Sequence, residues 1–129
     1  MDVSRFFAAF FAESREGLDA FEAGLLAFER GEGSADTLNT VFRAAHSIKG
    51  GAATFGFPAI AEFTHGAETL LDGVRAGTHA LDGAAIGDLL AAGDALRGLI
   101  DAAEHGAAFD ETALVSLRAR LAAHVDGPL

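Results

Sequence analysis

The sequence contains no cysteine, tryptophan or tyrosine and only two prolines. Without cysteine the chain has neither a disulfide framework nor thiolate chemistry, which is compatible with a reducing compartment. It also lacks a long hydrophobic run, because the apolar stretch at residues 6–12 is short and charged residues follow it. We therefore expect a cytoplasmic protein with neither a secretory signal nor a transmembrane segment.

Positive charge is also scarce in this chain. Nine basic residues stand against nineteen acidic ones, which gives a formal net charge of -10 at pH 7. Such a chain repels nucleic acid and anionic membranes, so neither is expected as a partner. No glycine-rich loop follows a strand, and an acidic helical domain has few groups to hold a triphosphate with its magnesium. No bound cofactor is predicted, and any ATP site has to lie in another domain.

The apolar residues favour helices over strands. Alanine and leucine abound, whereas β-branched residues are few, and this composition is typical of packed helices. With 129 residues, half of them apolar, the chain suits one domain with one core, to which eleven phenylalanines add bulk. An all-α fold is therefore predicted.

Hydrophobic periodicity and capping residues predict five helices, at about residues 3–30, 34–54, 58–77, 82–106 and 110–125. Asp2 is expected to cap the first helix, with Met1 and Phe6 in contact across the cap. The short links predict an up-down-up-down antiparallel four-helix bundle, with a fifth C-terminal helix at one end or along one side. The domain is expected to occupy residues 1–125, and residues 126–129 to begin a linker.

The second predicted helix carries the residues that point to chemistry. Its predicted buried stripe consists of residues at steps of three or four, namely Leu38, Phe42, Ala45, Lys49 and Ala52. His46 falls about a quarter-turn to the side of that stripe, where an imidazole reaches both the apolar seam and water. Gly50 lies one turn further on the same flank. Glycines 50 and 51 each cost helix stability, and the reason we infer is close access to the imidazole.

Lys49 is the only lysine in the chain, beside eight arginines. A compact, mobile ammonium differs from the planar fork of arginine, and its use at this one position indicates an anionic oxygen ligand. One turn from His46, with its head at the surface, the ammonium can meet a phosphoryl group carried by the ring.

These residues form part of the run FRAAHSIKGGAATFGF at residues 42–57. The run resembles the phosphorylated-histidine helix of histidine-containing phosphotransfer (HPt) domains, most closely that of the N-terminal HPt domain of CheA-type chemotaxis kinases. The resemblance is strong at residues 38–75 and rests on helix pattern elsewhere. It implies the same helical bundle, and a linker that leads to further kinase domains.

The resemblance also implies a role for each residue of the site. Nε2 of His46 would carry the phosphoryl group, and Glu68 of the following helix would hold Nδ1 and thereby fix the tautomer. His65 aligns with a second histidine and would add a supporting hydrogen bond. Lys49 would neutralise the phosphoryl oxygens, and Gly50 would leave room for the active-site loops of a partner.

The implied function is phosphoryl transfer in two-component chemotaxis signalling. His46 would accept the phosphoryl group from the ATP-bound kinase domain and donate it to the aspartate of CheY-like response regulators. The chain would thus be the phosphoacceptor domain of a transferase, while ATP and magnesium are used by the partner kinase domain.

Two other interpretations stay open from the residues alone. One is a non-catalytic helical interaction module that has kept the motif. The other is a metal site built from His46, His65 and Glu68, which is weak because carboxylate-bridged bundles need a Glu-x-x-His set on two helices.

The remaining expectations concern the surroundings of the site. Related domains usually carry larger residues at three positions of the third helix, so a wider groove is expected beside His46 at Gly66, Ala67 and Gly73. The other histidines lie near predicted helix ends and are expected to be solvated or capping, namely His79, His105 and His124.

Overall fold

The computed structural model describes residues 4–126, which form five helices joined by short links. They are α1 Ser4–Glu29, α2 Ala35–Phe55, α3 Pro58–Ala76, α4 Gly83–His105 and α5 Glu111–Asp126. No strand occurs within these described residues, and the all-α prediction is confirmed. Asp2, predicted to cap the first helix, and Met1, predicted to contact Phe6 across that cap, lie outside the described residues. Asp126, the first residue of the predicted linker, is still helical.

Capping residues fix where α2 begins and where it ends. Ser34 accepts a hydrogen bond from the backbone N–H of Thr37, and the Thr37 hydroxyl accepts one from the backbone N–H of Ser34. These reciprocal bonds satisfy donors that the first helical turn leaves free. At the other end Gly56 has φ 81°, a left-handed conformation that favours glycine. Pro58 then occupies the first turn of α3, so the chain reverses within a few residues.

The first four helices form the predicted antiparallel bundle. α1 packs against α2 and α4, and α3 packs against the same two helices on the opposite side of the core. α5 packs along α3 and α4, which decides between its two predicted positions in favour of the side of the bundle. None of the helices within residues 4–126 is long and apolar enough to cross a membrane.

The predicted buried stripe of α2 is partly wrong. Its buried residues are Val41, Ala45, Ile48 and Ala52, whereas Leu38 and Phe42 are only partly buried. The face that α2 turns to the core is set by contact with α1. There Gly24 lets Val41 approach so closely that a Cβ atom at Gly24 would collide with it. Ala45 and Ala52 were predicted correctly, because they lie where the predicted and the observed stripes overlap.

Polar contacts tie α5 to the bundle, with an ion pair of Arg118 to Glu62 of α3 at 3.8 Å and shorter contacts at Asp88 of α4. Asp88 of α4 lies 2.7 Å from Nε2 of His124 and 3.1 Å from Nε of Arg120. His124 is therefore a partly buried hydrogen-bond partner of Asp88, and the prediction that it is merely solvated or capping is wrong. Burial raises the pKa of Asp88, but the hydrogen bonds from His124 and Arg120 outweigh burial and hold that pKa below its ordinary value.

We predict that Asp88→Asn lowers the free energy of unfolding by about 1–2 kcal/mol, because the amide cannot accept both charged donors. Urea unfolding at pH 7 measures this change. The matched control is Asp94→Asn on the exposed side of the same helix, where no ion pair to a described residue is lost. Since the folded pKa of Asp88 is depressed, its contribution is present above the ordinary pKa of an aspartate and is lost as the pH falls through the lowered folded pKa. Equal stability of both variants at pH 7 would contradict the anchoring role.

Candidate functional site

The α2–α3 corner brings His46 and Glu68 together. Each lies eleven residues from Phe57, and residues equidistant from a tight corner face each other on antiparallel helices. Nδ1 of His46 lies 3.3 Å from Oε1 of Glu68. The imidazole is 63% exposed, whereas the carboxylate side chain is 13% exposed. A partly buried acceptor therefore holds one nitrogen of a ring whose remainder faces solvent.

The ring nitrogen that Glu68 binds has to carry the proton. An ionised carboxylate can only accept hydrogen bonds, so a neutral His46 bonded to it has its hydrogen on Nδ1. Nε2 then keeps its lone pair, which is the requirement for a nucleophile. The geometry fits the roles predicted for both residues.

Lys49 binds the same carboxylate. Its Nζ donates to Oε1 at 3.0 Å and lies 2.9 Å from Oε2 of Glu68. Oε2 is buried and accepts no hydrogen bond of good geometry from the described residues. The ammonium of Lys49, 2.9 Å away, compensates its negative charge. The lysine was predicted to hold its head at the surface, but it is 27% exposed and lies against Glu68. It remains one turn from His46.

Opposing effects set the charge state of Glu68. Burial raises the pKa of this carboxyl, but the hydrogen bonds and positive charge of Lys49 and His46 together lower it below the ordinary value. A depressed folded pKa means that the ionised carboxylate stabilises the fold above the normal titration range of glutamate. That contribution is lost only as the pH falls through the lowered pKa. The acceptor for Nδ1 is therefore present throughout the neutral range.

Phe42 borders the imidazole and Arg75 borders Phe42, and neither was predicted as part of the site. The phenyl ring of Phe42 stacks on His46 with centroids 5.9 Å apart and an angle of 16° between the planes. The guanidinium carbon of Arg75, at the end of α3, lies 4.0 Å from the centroid of the Phe42 ring. The sequence pattern predicts Phe42 in the core. Its position one turn before His46 is the signal that could have placed it in the site.

The two glycines after Lys49 have different reasons to be glycine. A Cβ atom at Gly50 would meet nothing within 4 Å, so glycine leaves open space on the flank of His46, as predicted. A Cβ atom at Gly51 would lie 2.8 Å from the ring of Phe10. Gly51 is therefore explained by close packing of α1 on α2, and the prediction that it provides access to the imidazole is wrong.

The predicted hydrogen bond of His65 is absent. Its side chain is exposed, and it makes no hydrogen bond to any residue within 4–126. It lies in a shallow depression between α2, α3 and α5, together with Gly50 and Arg118. The same residues give no support to the metal alternative, because no three acidic or histidine side chains among those described come together to hold an ion.

Only one of the three small residues predicted to widen a groove beside His46 faces open space. A Cβ atom at Gly73 would collide with the ring of His79, which fills that space. Ala67 is fully buried in the core. Gly66 alone of the three positions faces open space. His79 thus packs onto α3, contrary to the prediction that it is solvated or capping.

We predict that Glu68→Gln keeps the proton of His46 on Nδ1, since an amide oxygen still accepts a hydrogen bond, whereas Glu68→Ala removes that preference. Nitrogen-15 NMR of the imidazole distinguishes the two tautomers. Glu62→Gln, an exposed change on the same helix, serves as the control. An Nδ1–H tautomer undiminished in Glu68→Ala would show that the carboxylate does not set it.

Comparison with known proteins gives one consistent answer. The family model for the Hpt domain matches residues 5–106. The chemotaxis protein CheA of Rhizobium meliloti is 38% identical over 129 residues, and that of Klebsiella aerogenes is 52% identical over 75 residues. These alignments cover 100% and 58% of the chain, but only 17% and 12% of the two relatives, so the chain spans less than a fifth of their length.

A solved structure is similar over nearly the whole chain. It is the phosphorylated P1 domain of CheA3 in complex with CheY6 from R. sphaeroides, with a TM-score of 0.84 and 32% sequence identity. The similarity covers 92% of this chain and 94% of that one. Sequence and fold agree, and the chain belongs to the Hpt domain family.

Proposed function

We propose that this chain is the phosphoryl-carrying domain of a chemotaxis-type histidine kinase. His46 accepts a phosphoryl group from a kinase catalytic domain and donates it to the aspartate of a CheY-like response regulator. The observation that carries the proposal is the exposed imidazole whose Nδ1 is held by the partly buried carboxylate of Glu68. Similarity to CheA proteins and to a phosphorylated P1 domain in complex with CheY6 supports the same reaction.

The chemistry at His46 needs no proton transfer. Nε2 attacks the γ-phosphorus of ATP, an N–P bond forms, the bond to the bridging oxygen breaks, and ADP leaves with that electron pair. The ring then bears a positive charge with its proton still on Nδ1, and the Glu68 carboxylate stabilises it. In the second transfer an aspartate oxygen attacks the phosphorus, the N–P bond breaks, and His46 returns to its neutral state.

The ammonium of Lys49 lies where it can compensate phosphoryl charge. In the free domain it balances Glu68. An ammonium has three donors on a flexible stem, so it can keep a contact with the carboxylate while it donates to a phosphoryl oxygen. Lys49 therefore offsets the negative charge that arrives at Nε2, and Gly50 leaves the approach to that atom open.

The remaining chemistry belongs to partners. ATP and magnesium are bound by the kinase catalytic domain, and the response regulator supplies the acceptor aspartate. The domain itself acts as a phosphoacceptor without kinase activity of its own, in a cytoplasmic pathway. A non-catalytic interaction module remains the second candidate, since the family fold alone does not require transfer.

We predict that the domain becomes labelled by radioactive ATP only when a CheA-type kinase domain is present, and that the label is labile in acid. His46→Gln should abolish labelling, because no other described histidine has a carboxylate on one nitrogen and an open glycine flank on the same helix. His65→Gln is the matched control and should keep it. Adding a CheY-like regulator should discharge the label. An unlabelled wild-type domain would favour the interaction module.

We predict that Lys49→Ala slows single-turnover phosphorylation at least about tenfold, because the transferring charge loses a close ammonium. Lys49→Arg should recover only part of the rate, since a planar guanidinium fits less well beside Glu68. Arg30→Ala removes a positive charge at the end of α1 and serves as the control. Equal rates for wild type and Lys49→Ala would leave the lysine with a structural role only.

A further inference from the structure

The imidazole of His46 is constrained in two directions. In the plane of the ring, the contact at 3.3 Å joins Nδ1 to Glu68. Across the plane, the phenyl ring of Phe42 lies nearly parallel to the imidazole, at 5.9 Å between centroids and 16° between planes. A single in-plane hydrogen bond leaves an exposed ring free to tilt about it, whereas a parallel neighbour limits that tilt. The lone pair of Nε2 lies in the plane of the ring, so the tilt decides its direction.

Core packing does not by itself fix the orientation of Phe42. The ring is only partly buried, at the edge of the core, one turn before His46 on α2. A second contact comes from α3, where the guanidinium carbon of Arg75 lies 4.0 Å from the ring centroid. That distance is well within the range of a cation–π interaction. The phenyl ring thus contacts both the imidazole and the guanidinium.

The environment of Arg75 favours a role for this contact. The chain carries nineteen acidic residues, yet Arg75 forms no ion pair with any described carboxylate. Arginine side chains on α1, α4 and α5 do form such pairs. The guanidinium of Arg75 instead contacts an aromatic face, and a guanidinium suits this use because it is planar and weakly hydrated.

We infer that Phe42 and Arg75 are positioning residues for His46. α3 then orients the imidazole twice, directly through Glu68 and indirectly through Arg75 and the ring of Phe42. The stack holds Nε2 in the direction from which it attacks phosphorus, and in-line transfer depends on that direction. The effect on rate rests on the proposed function, but the effect on ring orientation does not.

Ring orientation is tested by proton NMR of the His46 imidazole in the free domain. A stacked phenyl ring displaces the two carbon-bound imidazole protons upfield. Phe42→Leu should move both resonances to the positions of an unstacked histidine. Arg75→Ala should move them part of the way although Phe42 is still present, and Arg75→Lys should restore them, because an ammonium also binds an aromatic face. Arg30→Ala, which removes an exposed guanidinium elsewhere, should leave them unchanged.

The same variants are compared in single-turnover phosphorylation by a CheA-type kinase domain. Arg75→Ala should lower the maximal rate roughly two- to fivefold with little change in the KM for the domain, and Arg75→Lys should recover it. A wild-type domain that takes no label would overturn the proposed function and leave the NMR result standing. Imidazole resonances unmoved in both Phe42→Leu and Arg75→Ala would overturn the positioning role. Displaced resonances with an unchanged rate would show that the stack does not serve transfer.

Discussion

The site depends on the hydrogen bonds and ion pair of one partly buried carboxylate, that of Glu68. It accepts from Nδ1 of His46 and binds the ammonium of Lys49, so it sets the tautomer of one and the position of the other. Burial alone would raise the pKa of this carboxyl, but the hydrogen bonds from Lys49 and His46 and the positive charge of Lys49 lower it and keep the group ionised. The two α2 residues in turn depend on α3 for their arrangement. The imidazole of His46 and the ammonium of Lys49 are thus coupled through one acidic group.

The bundle supplies the rigidity that this arrangement needs. The corner closed by Gly56 and Pro58 sets the register of α2 against α3, and glycines at positions 24 and 51 let α1 pack closely on α2. These features leave the site on a fixed surface where two rigid helices meet, and not on a loop. α5 lies outside the residues that the family model matches, and its contact to Asp88 joins it to the same scaffold.

The fold and the centre of the site were predictable because both depend on local patterns. Helical periodicity, caps and short links define the bundle, and the resemblance to HPt domains assigned Glu68 to His46. The structure supplies the physical reason for that pair, because both residues are equidistant from the α2–α3 corner. Contacts made by side chains across helices were less accessible. The core face of α2 was misplaced because it depends on the small size of Gly24 in α1. Arg75 was missed because nothing in its local sequence shows that its guanidinium covers an aromatic ring.

In the proposed mechanism, phosphorus binds Nε2 of His46 while Glu68 retains the proton on Nδ1. Nitrogen-15 NMR of the phosphorylated domain, with detection of the coupling between phosphorus and nitrogen, tests it directly. We expect coupling of phosphorus to Nε2 of His46 alone, with a proton resonance on Nδ1 of the same ring. Coupling to Nδ1, or to a nitrogen of another histidine, would contradict it.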